Sequence, residues 1–371
     1  MQYWVWLGLL KGVGPVTQKR LLDYFEDAES VYKASKSELM EVTGIGDSLS
    51  EIIKSTSLEE AKRTLEKASK LNIKILTYND CLYNVKAKLS PHSPVVLYYR
   101  GNLLPDGIGV SIVGARRCTD YGKEVVKEAA EYLANEKIPV ISGMAKGIDG
   151  YAHTACLKAG GYTLAFFGNG VDICYPKEHS ELMENIIGNG AVLSQFPPGT
   201  KARPEYFPRR NALMSAWSEK LLVVEAGENS GALITAQYTK ELGRKVLAVP
   251  NQIYSQTGKG TNLLILKGAQ IYLYPEQLLS DNKEEFPMVD RNAVSDKGKT
   301  SREYGNTETF NRQLSEKEKK IIESISIDPK TIEELSLSTE INQVELLELL
   351  SILELEGIIK TSAGGRFKAM V

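Results

Sequence analysis

A chain of 371 residues has room for two or three domains, and its 42% hydrophobic and 25% charged residues are ordinary for a soluble globular protein. The formal net charge of −2 excludes nucleic-acid binding driven by overall charge, so any such binding needs a local basic patch. The four cysteines are scattered without a CxxC pair, which predicts reduced thiols in a cytoplasmic protein. The apolar N-terminus is far shorter than the roughly 20 residues that span a bilayer, so we expect no membrane span.

Residues 1–80 are predicted to form a helical domain of the SAM or helix-hairpin-helix type. Two Gly-apolar-Gly turns, at 12–14 and 44–46, precede predicted helices that end at Phe25 and Ile53. Such a turn exposes backbone N–H groups that can bind a DNA phosphate, but it also serves as a tight turn between packed helices. Acidic residues around the second turn favour the structural interpretation.

Residues 81–280 alternate apolar runs with helical patterns, which predicts an α/β domain of extended Rossmann-like form with a parallel sheet. In such sheets a ligand binds beyond the carboxyl ends of the strands. This chain has glycine-rich loops at those ends, beginning at Gly114, Ser142, Gly168 and Gly227. The predicted strands are 110–113, 139–141, 163–167, 192–193, 221–225, 246–249 and 271–274, and helices are predicted at 123–135, 149–159 and 232–242.

The last ninety residues divide into a polar segment and a third domain. Residues 281–312 lack periodicity and are predicted to be a linker. Residues 313–371 are predicted to form a winged-helix domain, with helices at 315–324, 332–335 and 343–356 and a hairpin of 358–360 with 366–368. Acidic residues outnumber basic ones there by eleven to seven. Because duplex phosphates would repel that surface, we expect a protein-contact or auxiliary role for it.

Two of the glycine-rich loops carry basic residues that suit phosphate. Arg116 and Arg117 directly follow a predicted strand, and paired guanidinium groups can clamp phosphates or stack on bases. Lys146 lies in SGMAKGID (142–149), close to the start of a helix that Asp149 could cap. This loop matches neither GxxxxGK[ST] nor GxGxxG, so we expect no nucleotide cofactor.

The segment 201–210 combines positive charge with aromatic rings. Such a combination suits single-stranded nucleic acid, because the charges follow the backbone while the rings stack on unpaired bases. The alternative is that the rings belong to the core and the charges are solvated. The residues concerned are Lys201, Arg203, Tyr206, Phe207, Arg209 and Arg210.

Signs of catalysis or metal binding are weak. His153 and Cys156 are three residues apart on a predicted helix, but without a second ligand pair they are predicted to be core residues, and no metal site is expected. Glu225 and Asp149 are a conceivable acid–base pair, which would make the chain a nucleotide or nucleotide-sugar hydrolase. A PGGxGT-type phosphate loop is missing, so we expect no catalytic residues. A pure protein adaptor is a third possibility.

Five ordered motifs give residues 70–280 a specific resemblance to the bacterial DNA-processing protein A family (DprA, also called Smf). The motifs are SIVGARRCTDYG (111–122), SGMAKGIDGYAH (142–153), AFFGNGVDICYPKEH (165–179), FPRRN (207–211) and EAGENSGALITA (225–236). The resemblance implies an extended Rossmann-like domain that binds single-stranded DNA, and our hypothesis is that it binds without sequence specificity and without catalysis. The resemblance also implies a homodimer formed through that domain, and loading of RecA recombinase onto the bound strand during natural transformation and homologous recombination.

The resemblance and the basic residues together predict the DNA-binding site. The chain departs from the family at Ala212, where a further arginine is usual, and Arg209 is a candidate to substitute for it. The predicted DNA-binding residues are Gly114, Arg116, Arg117, Gly143, Lys146, Lys177, Lys201, Arg203, Phe207, Arg209, Arg210 and Asn211.

Overall fold

The computed structural model describes residues 1–105, 109–279, 314–355, 358–362 and 366–369. The chain forms two compact units, Met1–Glu284 and Glu285–Val371. The predicted linker, 281–312, lies outside the described residues.

A single large sheet forms the centre of the first unit. In the described residues it has nine strands in the order β1-β2-β6-β5-β4-β3-β7-β8-β9. Strands β3 to β9 pair in parallel, whereas β2 is antiparallel to β6 and β1 is antiparallel to β2. The strands are β1 (Lys74–Thr77), β2 (Val96–Gly101), β3 (Gly109–Val113), β4 (Val140–Ser142), β5 (Thr163–Phe166), β6 (Gly190–Ser194), β7 (Ser218–Val223), β8 (Lys245–Ala248) and β9 (Gln270–Ile271).

The predicted parallel sheet is therefore correct for its centre and wrong at one edge. Strand β1 has four residues and β2 has six, and β1 lies inside residues 1–80, which were predicted to be helical. An antiparallel pair at the edge of a sheet needs only a few residues in each strand, so it leaves a weak pattern in the sequence. The result is a mixed sheet, as is common when a large parallel sheet gains an antiparallel edge.

The direction of strand addition reverses at the middle of the sheet. From β3 the chain adds β4, β5 and β6 on one side, and then returns to place β7, β8 and β9 on the other side. The loops that leave β3 and β7 therefore diverge, and a crevice opens between them at the carboxyl ends of the strands. This reversal determines where a ligand can bind.

The helices of the first unit surround the sheet. Gly14 and Gly46 directly precede α2 and α5, so the two predicted glycine turns stand before helices. In the described residues, no helix is both long and apolar enough to cross a bilayer. The helices are α1 (Gln2–Leu9), α2 (Pro15–Phe25), α3 (Ala28–Lys33), α4 (Lys36–Met40), α5 (Asp47–Ser55), α6 (Glu59–Lys70), α7 (Val85–Lys88), α8 (Asp120–Asn135), α9 (Ile148–Lys158), α10 (Ser180–Asn189), α11 (Tyr206–Trp217), α12 (Gly231–Glu241) and α13 (Lys259–Leu266).

One hydrophobic core joins the N-terminal helices to the sheet. Leu21 and Ile53, from α2 and α5, belong to the same buried cluster as Tyr98 of β2 and Val192 of β6. Burial of apolar surface contributes roughly 25 cal/mol per Å², so a shared cluster of this kind fixes the helices firmly against the sheet. Positions of side chains on α1–α6 are therefore defined relative to the strand-end loops.

The second unit has its own small core. It consists of α14 (Glu316–Ile327), α15 (Ile332–Thr339), α16 (Gln343–Leu355) and the antiparallel hairpin β10 (Ile359–Ser362) with β11 (Arg366–Ala369). Ile321, Leu335, Leu346 and Phe367 are buried together in it. Three helices followed by a hairpin is the order that the sequence predicted for residues 313–371.

Candidate nucleic-acid interface

A cavity of about 390 Å³ lies at the point where the strand order reverses. Its walls come from the loops after β3 and β4 and from the first turns of α11 and α12, which is where a doubly wound sheet places its ligands. Five predicted DNA-binding residues line it, namely Gly114, Arg116, Phe207, Arg210 and Asn211. Asp149 and Ser230 belong to the same wall.

The ring of Phe207 lies close to two guanidinium groups. The guanidinium carbon of Arg116 is 6.0 Å from the ring centre, and that of Arg210 is 5.7 Å from it. The ring of Tyr175 lies 5.8 Å away, centre to centre. Gly168 allows the ring to approach closely, since a Cβ atom there would stand 3.3 Å from it. Phe207 is thus a half-buried ring with two cations nearby, and a ring beside positive charge suits an unpaired base and its phosphate.

Arg116 and Arg210 differ in their exposure. Arg116 is exposed and, in the described residues, forms no ion pair. Arg210 is only 6% exposed, and its Nη1 donates to the carbonyl oxygen of Phe166 at 3.2 Å. Both arginines lie in helix α11, where Arg210 faces the interior and Arg209 is exposed. Arg210 therefore forms part of the wall of the cavity, and Arg116 is the cation that phosphate can reach.

Asp149 supports this wall and does not cap its helix as expected. The helix begins at Ile148 after Gly147, and the Asp149 carboxylate accepts the N–H groups of Gly143 at 3.2 Å and Ala145 at 3.4 Å. Burial raises the pKa of Asp149, and the charge of Arg210 opposes that rise. Burial likewise lowers the pKa of Arg210, against the attraction of Asp149. These two buried charges hold the loop after β4 in a fixed conformation.

Glu225 has a structural role that its sequence context did not indicate. Its carboxylate is fully buried and accepts the backbone N–H of Thr119 at 2.9 Å and the Thr119 hydroxyl at 2.6 Å. A weaker bond of 3.4 Å comes from Thr257. Glu225 thereby fixes the end of the loop that carries Arg116 and Arg117. Its buried, hydrogen-bonded carboxylate is occupied by these contacts.

Lys146 lines a second, larger cavity, and Lys177 is exposed and adjacent in sequence to the lining residue Glu178. Lys146 is exposed and forms an ion pair with Glu178, the residue after Lys177. His179 closes the turn, with its Nδ1 3.1 Å from the carbonyl oxygen of Met144. The cavity, of about 810 Å³, lies between α9 and α10 and is lined by Lys146, Lys158, Glu178 and His179 among others. Tyr175 connects this region to Phe207.

The segment that follows β6 carries Lys201 and Arg203, both exposed. The Arg203 guanidinium lies 5.9 Å from the ring centre of Tyr206 and 3.9 Å from a Glu205 carboxylate oxygen. One face of Tyr206 is covered by Phe196, with the ring centres 4.1 Å apart. Of the two aromatic residues considered for base stacking, Phe207 therefore lines the cavity, whereas Tyr206 packs against Phe196 and Arg203.

The remaining predicted residues are placed as follows. Gly143 lies against the guanidinium of Arg210, and the Asn211 side chain donates to the carbonyl oxygen of Gly231 at 3.2 Å. Arg117 and Arg209 are exposed and line neither of the two cavities. Ala212 is 2% exposed and is packed inside α11, whereas Arg209 is at the surface.

Two further predictions concern core and metal. His153 and Cys156 are fully buried, which confirms their assignment to the core. In the part of the chain that the structure describes, no group of three or more His, Cys, Asp or Glu side chains could hold a metal ion.

Comparison with known proteins connects this geometry to one family. Residues 74–283 match the model of the family described as DNA recombination-mediator protein A. Protein Smf of Synechocystis sp. is 32% identical over 393 aligned positions, which cover 99% of this chain and 98% of that protein. The DNA processing protein DprA of Bacillus subtilis is 37% identical over 196 residues, or 52% of this chain and 65% of that protein.

A solved structure agrees with the sequence comparison. The X-ray structure of DNA processing protein A from Streptococcus pneumoniae superposes with a TM-score of 0.66 and 28% identity, covering 76% of this chain and 98% of that one. The family match spans the whole sheet and every wall of the cavity at the strand reversal. The chain belongs to the DNA recombination-mediator protein A family.

Proposed function

We propose that this protein binds single-stranded DNA without sequence specificity and acts as a mediator of DNA recombination. The observation that carries the proposal is the half-buried ring of Phe207, which lines one cavity together with the guanidinium groups of Arg116 and Arg210. A base can stack on the ring only when it is unpaired, which favours a single strand over a duplex. Phosphates on either side of that base meet Arg116 and the exposed cations of the neighbouring loops.

The lack of sequence preference follows from the kind of contact. Arg116, Lys146, Lys177 and Lys201 present charge to the backbone, and Phe207 presents a ring that accepts any base. The amide of Asn211, which could read a base edge, is engaged with Gly231. The site therefore offers positioning and stacking but little base readout.

We propose that the protein works without catalysis. The two carboxylates considered for acid–base chemistry, Glu225 and Asp149, are buried and accept hydrogen bonds from Thr119 and from the Gly143–Ala145 loop. Buried carboxylates that accept hydrogen bonds from neighbouring loops hold those loops in place, which favours a structural role for them over proton transfer. Incubation with nucleoside monophosphates should release no free base, and release above the buffer control would favour the hydrolase alternative.

We further propose that a homodimer, formed through the sheet domain, loads RecA onto the bound strand in the cytoplasm during DNA uptake and recombination. The role in recombination is supported by family membership, and the homodimer and the RecA loading are what the resemblance implies. It also assigns DNA binding to residues 81–280 and an auxiliary protein contact to residues 313–371. A RecA filament-assembly assay on single strands should be accelerated by the full chain, and a chain ending at residue 280 should keep DNA binding.

Fluorescence anisotropy with labelled oligo-dT and a duplex of equal length tests the proposal. The protein should bind the single strand more tightly, and the affinity should fall as salt rises because bound counterions are released. The double variant Arg116→Ala with Lys201→Ala should lose binding and keep its thermal stability. Lys62→Ala with Lys127→Ala, which removes two exposed lysines from α6 and α8, is the matched control and should bind normally. Equal affinity for single strand and duplex would contradict the proposal.

A further inference from the structure

Lys67, on helix α6, contacts the loop that leads into Lys201. Its Nζ donates to the carbonyl oxygen of Pro198 at 3.1 Å and lies 3.9 Å from a carboxylate oxygen of Asp172. Lys67 and Pro198 are 131 residues apart in the sequence. A lysine from the N-terminal helices is thus part of the support of a strand-end loop of the sheet.

The loop is held by several bonds around this lysine. Asp172 accepts the N–H of Gly199 at 2.8 Å, and the N–H of Gly170 donates to the carbonyl oxygen of Thr200 at 2.9 Å. Gly199 has φ +88°, and a Cβ atom there would stand 1.9 Å from the Lys67 Nζ. Glycine is needed at 199 both for its backbone conformation and for the approach of Lys67. The ammonium group fits directly against the turn.

Both partners of this contact are anchored in the same core. Ala61 and Ala68 of α6 are buried in one cluster with Val171, from the loop after β5, and with Val192 of β6. The backbone that carries Lys67 and the strand that precedes Pro198 are therefore fixed relative to each other. Because both backbones are already fixed, this hydrogen bond costs only the ordering of the half-exposed Lys67 side chain, and it then restrains the loop.

We propose that Lys67 is a positioning residue for DNA binding: it holds 197–200 in place and thereby orients the cations that follow, Lys201 and Arg203. The proposal rests on the proposed single-strand binding. A loop that is already ordered loses less conformational entropy on binding than one that becomes ordered only on contact with DNA. The N-terminal helices then contribute to DNA affinity through the shape of the sheet domain, without a phosphate contact of their own.

The test compares Lys67→Met, which keeps the length of the side chain and removes the donor, with Lys67→Arg, which keeps donor and charge. Lys70→Met, on the same helix and equally cationic, is the matched control. We expect oligo-dT affinity to fall about fivefold in Lys67→Met, to return in Lys67→Arg, and to be unchanged in Lys70→Met. The effect should disappear when Lys201→Ala and Arg203→Ala are already present, since the loop then has no cations to orient.

Salt dependence separates positioning from direct contact. Because Lys67 touches no phosphate in this proposal, Lys67→Met should leave the slope of log affinity against log salt unchanged. A slope reduced by about one unit would mean that Lys67 binds a phosphate itself, which would overturn the proposal. Wild-type affinity in Lys67→Met would overturn it as well.

Amide hydrogen exchange of the DNA-free protein gives a readout that does not depend on DNA binding. Exchange at Gly199 and Thr200 should be faster in Lys67→Met than in the wild type or Lys70→Met. Unchanged exchange would refute the positioning role even if the protein binds oligo-dT. If Lys67→Met speeds exchange but the wild-type protein does not bind oligo-dT, the loop contact is supported and the proposed function is rejected.

Discussion

Gly143 lies so close to Arg210 that a Cβ atom at position 143 would stand 1.4 Å from the Nη1 atom of the guanidinium. The arginine is nearly fully buried and donates to the carbonyl oxygen of Phe166, so a side chain at 143 would push the guanidinium away from that bond. The loop after β4 and the first turns of α11 are therefore in close contact, and that contact requires glycine at position 143. This contact determines where Phe207 and the cavity beside it lie.

Gly143→Ala should displace Arg210 from the wall of the cavity. Overpacking a site of this kind costs about 1–3 kcal/mol, and we expect a loss of that size in the free energy of unfolding measured with urea. Gly188→Ala is the control, because a Cβ atom there meets nothing within 4 Å and position 188 lies in helix α10. That variant should be neutral or slightly more stable. Equal stability of the two variants would show that Arg210 is free to move.

Phe207→Leu should weaken oligo-dT binding about tenfold, because aromatic stacking on a base contributes roughly 1–3 kcal/mol. Phe207→Tyr keeps the ring and should bind almost as well as the wild type. Anisotropy titrations at one salt concentration are sufficient for this comparison. Equal losses in the two variants would indicate that the ring acts through packing and does not stack on a base.

Glu178→Gln should increase oligo-dT affinity. Glu178 forms an ion pair with Lys146 and so competes with phosphate for its ammonium group. Because both side chains are exposed, we expect only a modest gain of about twofold at low salt, which disappears as salt rises. Glu181→Gln removes a charge from the wall of the same cavity, where it forms no ion pair with Lys146, and serves as the control. The same gain in both variants would mean that only net charge matters.

His153 gives the protein a predictable response to acid. Burial lowers the pKa of His153 to about 3, with smaller contributions from the charges of His179 and Arg210. Its Nδ1 lies 2.7 Å from the Thr163 hydroxyl oxygen, which donates its own hydrogen to Val140, so the neutral ring donates through Nδ1. An unfolded histidine binds a proton near pH 6.5, whereas the folded one does so only near pH 3.

The unfolded state therefore takes up more protons in that interval, and stability falls as pH is lowered from about 6.5 towards 3. This residue contributes up to about 1.4 kcal/mol per pH unit. His153→Asn keeps a donor for Thr163 without a basic ring. Its free energy of unfolding should fall less steeply with acid than that of the wild type. Parallel pH profiles of the two proteins would contradict the assignment.

The central strands and the loops at their carboxyl ends were the part of the fold that the sequence predicted best. Continuous apolar runs such as Leu221–Val224 are typical of strands that are buried on both faces, and the glycine loops that follow them were placed correctly at the rim. Strand β9 is shorter than predicted, covering only Gln270–Ile271, because a strand at the edge of a sheet has one neighbour and little to extend its pairing.

The sequence did not predict which side chains of the site are buried. Arg209 and Arg210 look equivalent in FPRRN, and only the packing of helix α11 decides that one is exposed and the other buried. The contact of Lys67 with Pro198 joins residues 131 positions apart and has no local signal in the sequence. Residue types and loop positions therefore predicted a site for polyanions. Which of its cations are buried, exposed or engaged in supporting a loop could be read only from the fold.

The most direct test of the central claim is a crystal structure of the protein with oligo-dT. A base should stack on the ring of Phe207, and its neighbouring phosphates should lie at Arg116 and at the loop that carries Lys201. A strand bound elsewhere, with the cavity at the strand reversal empty, would contradict it.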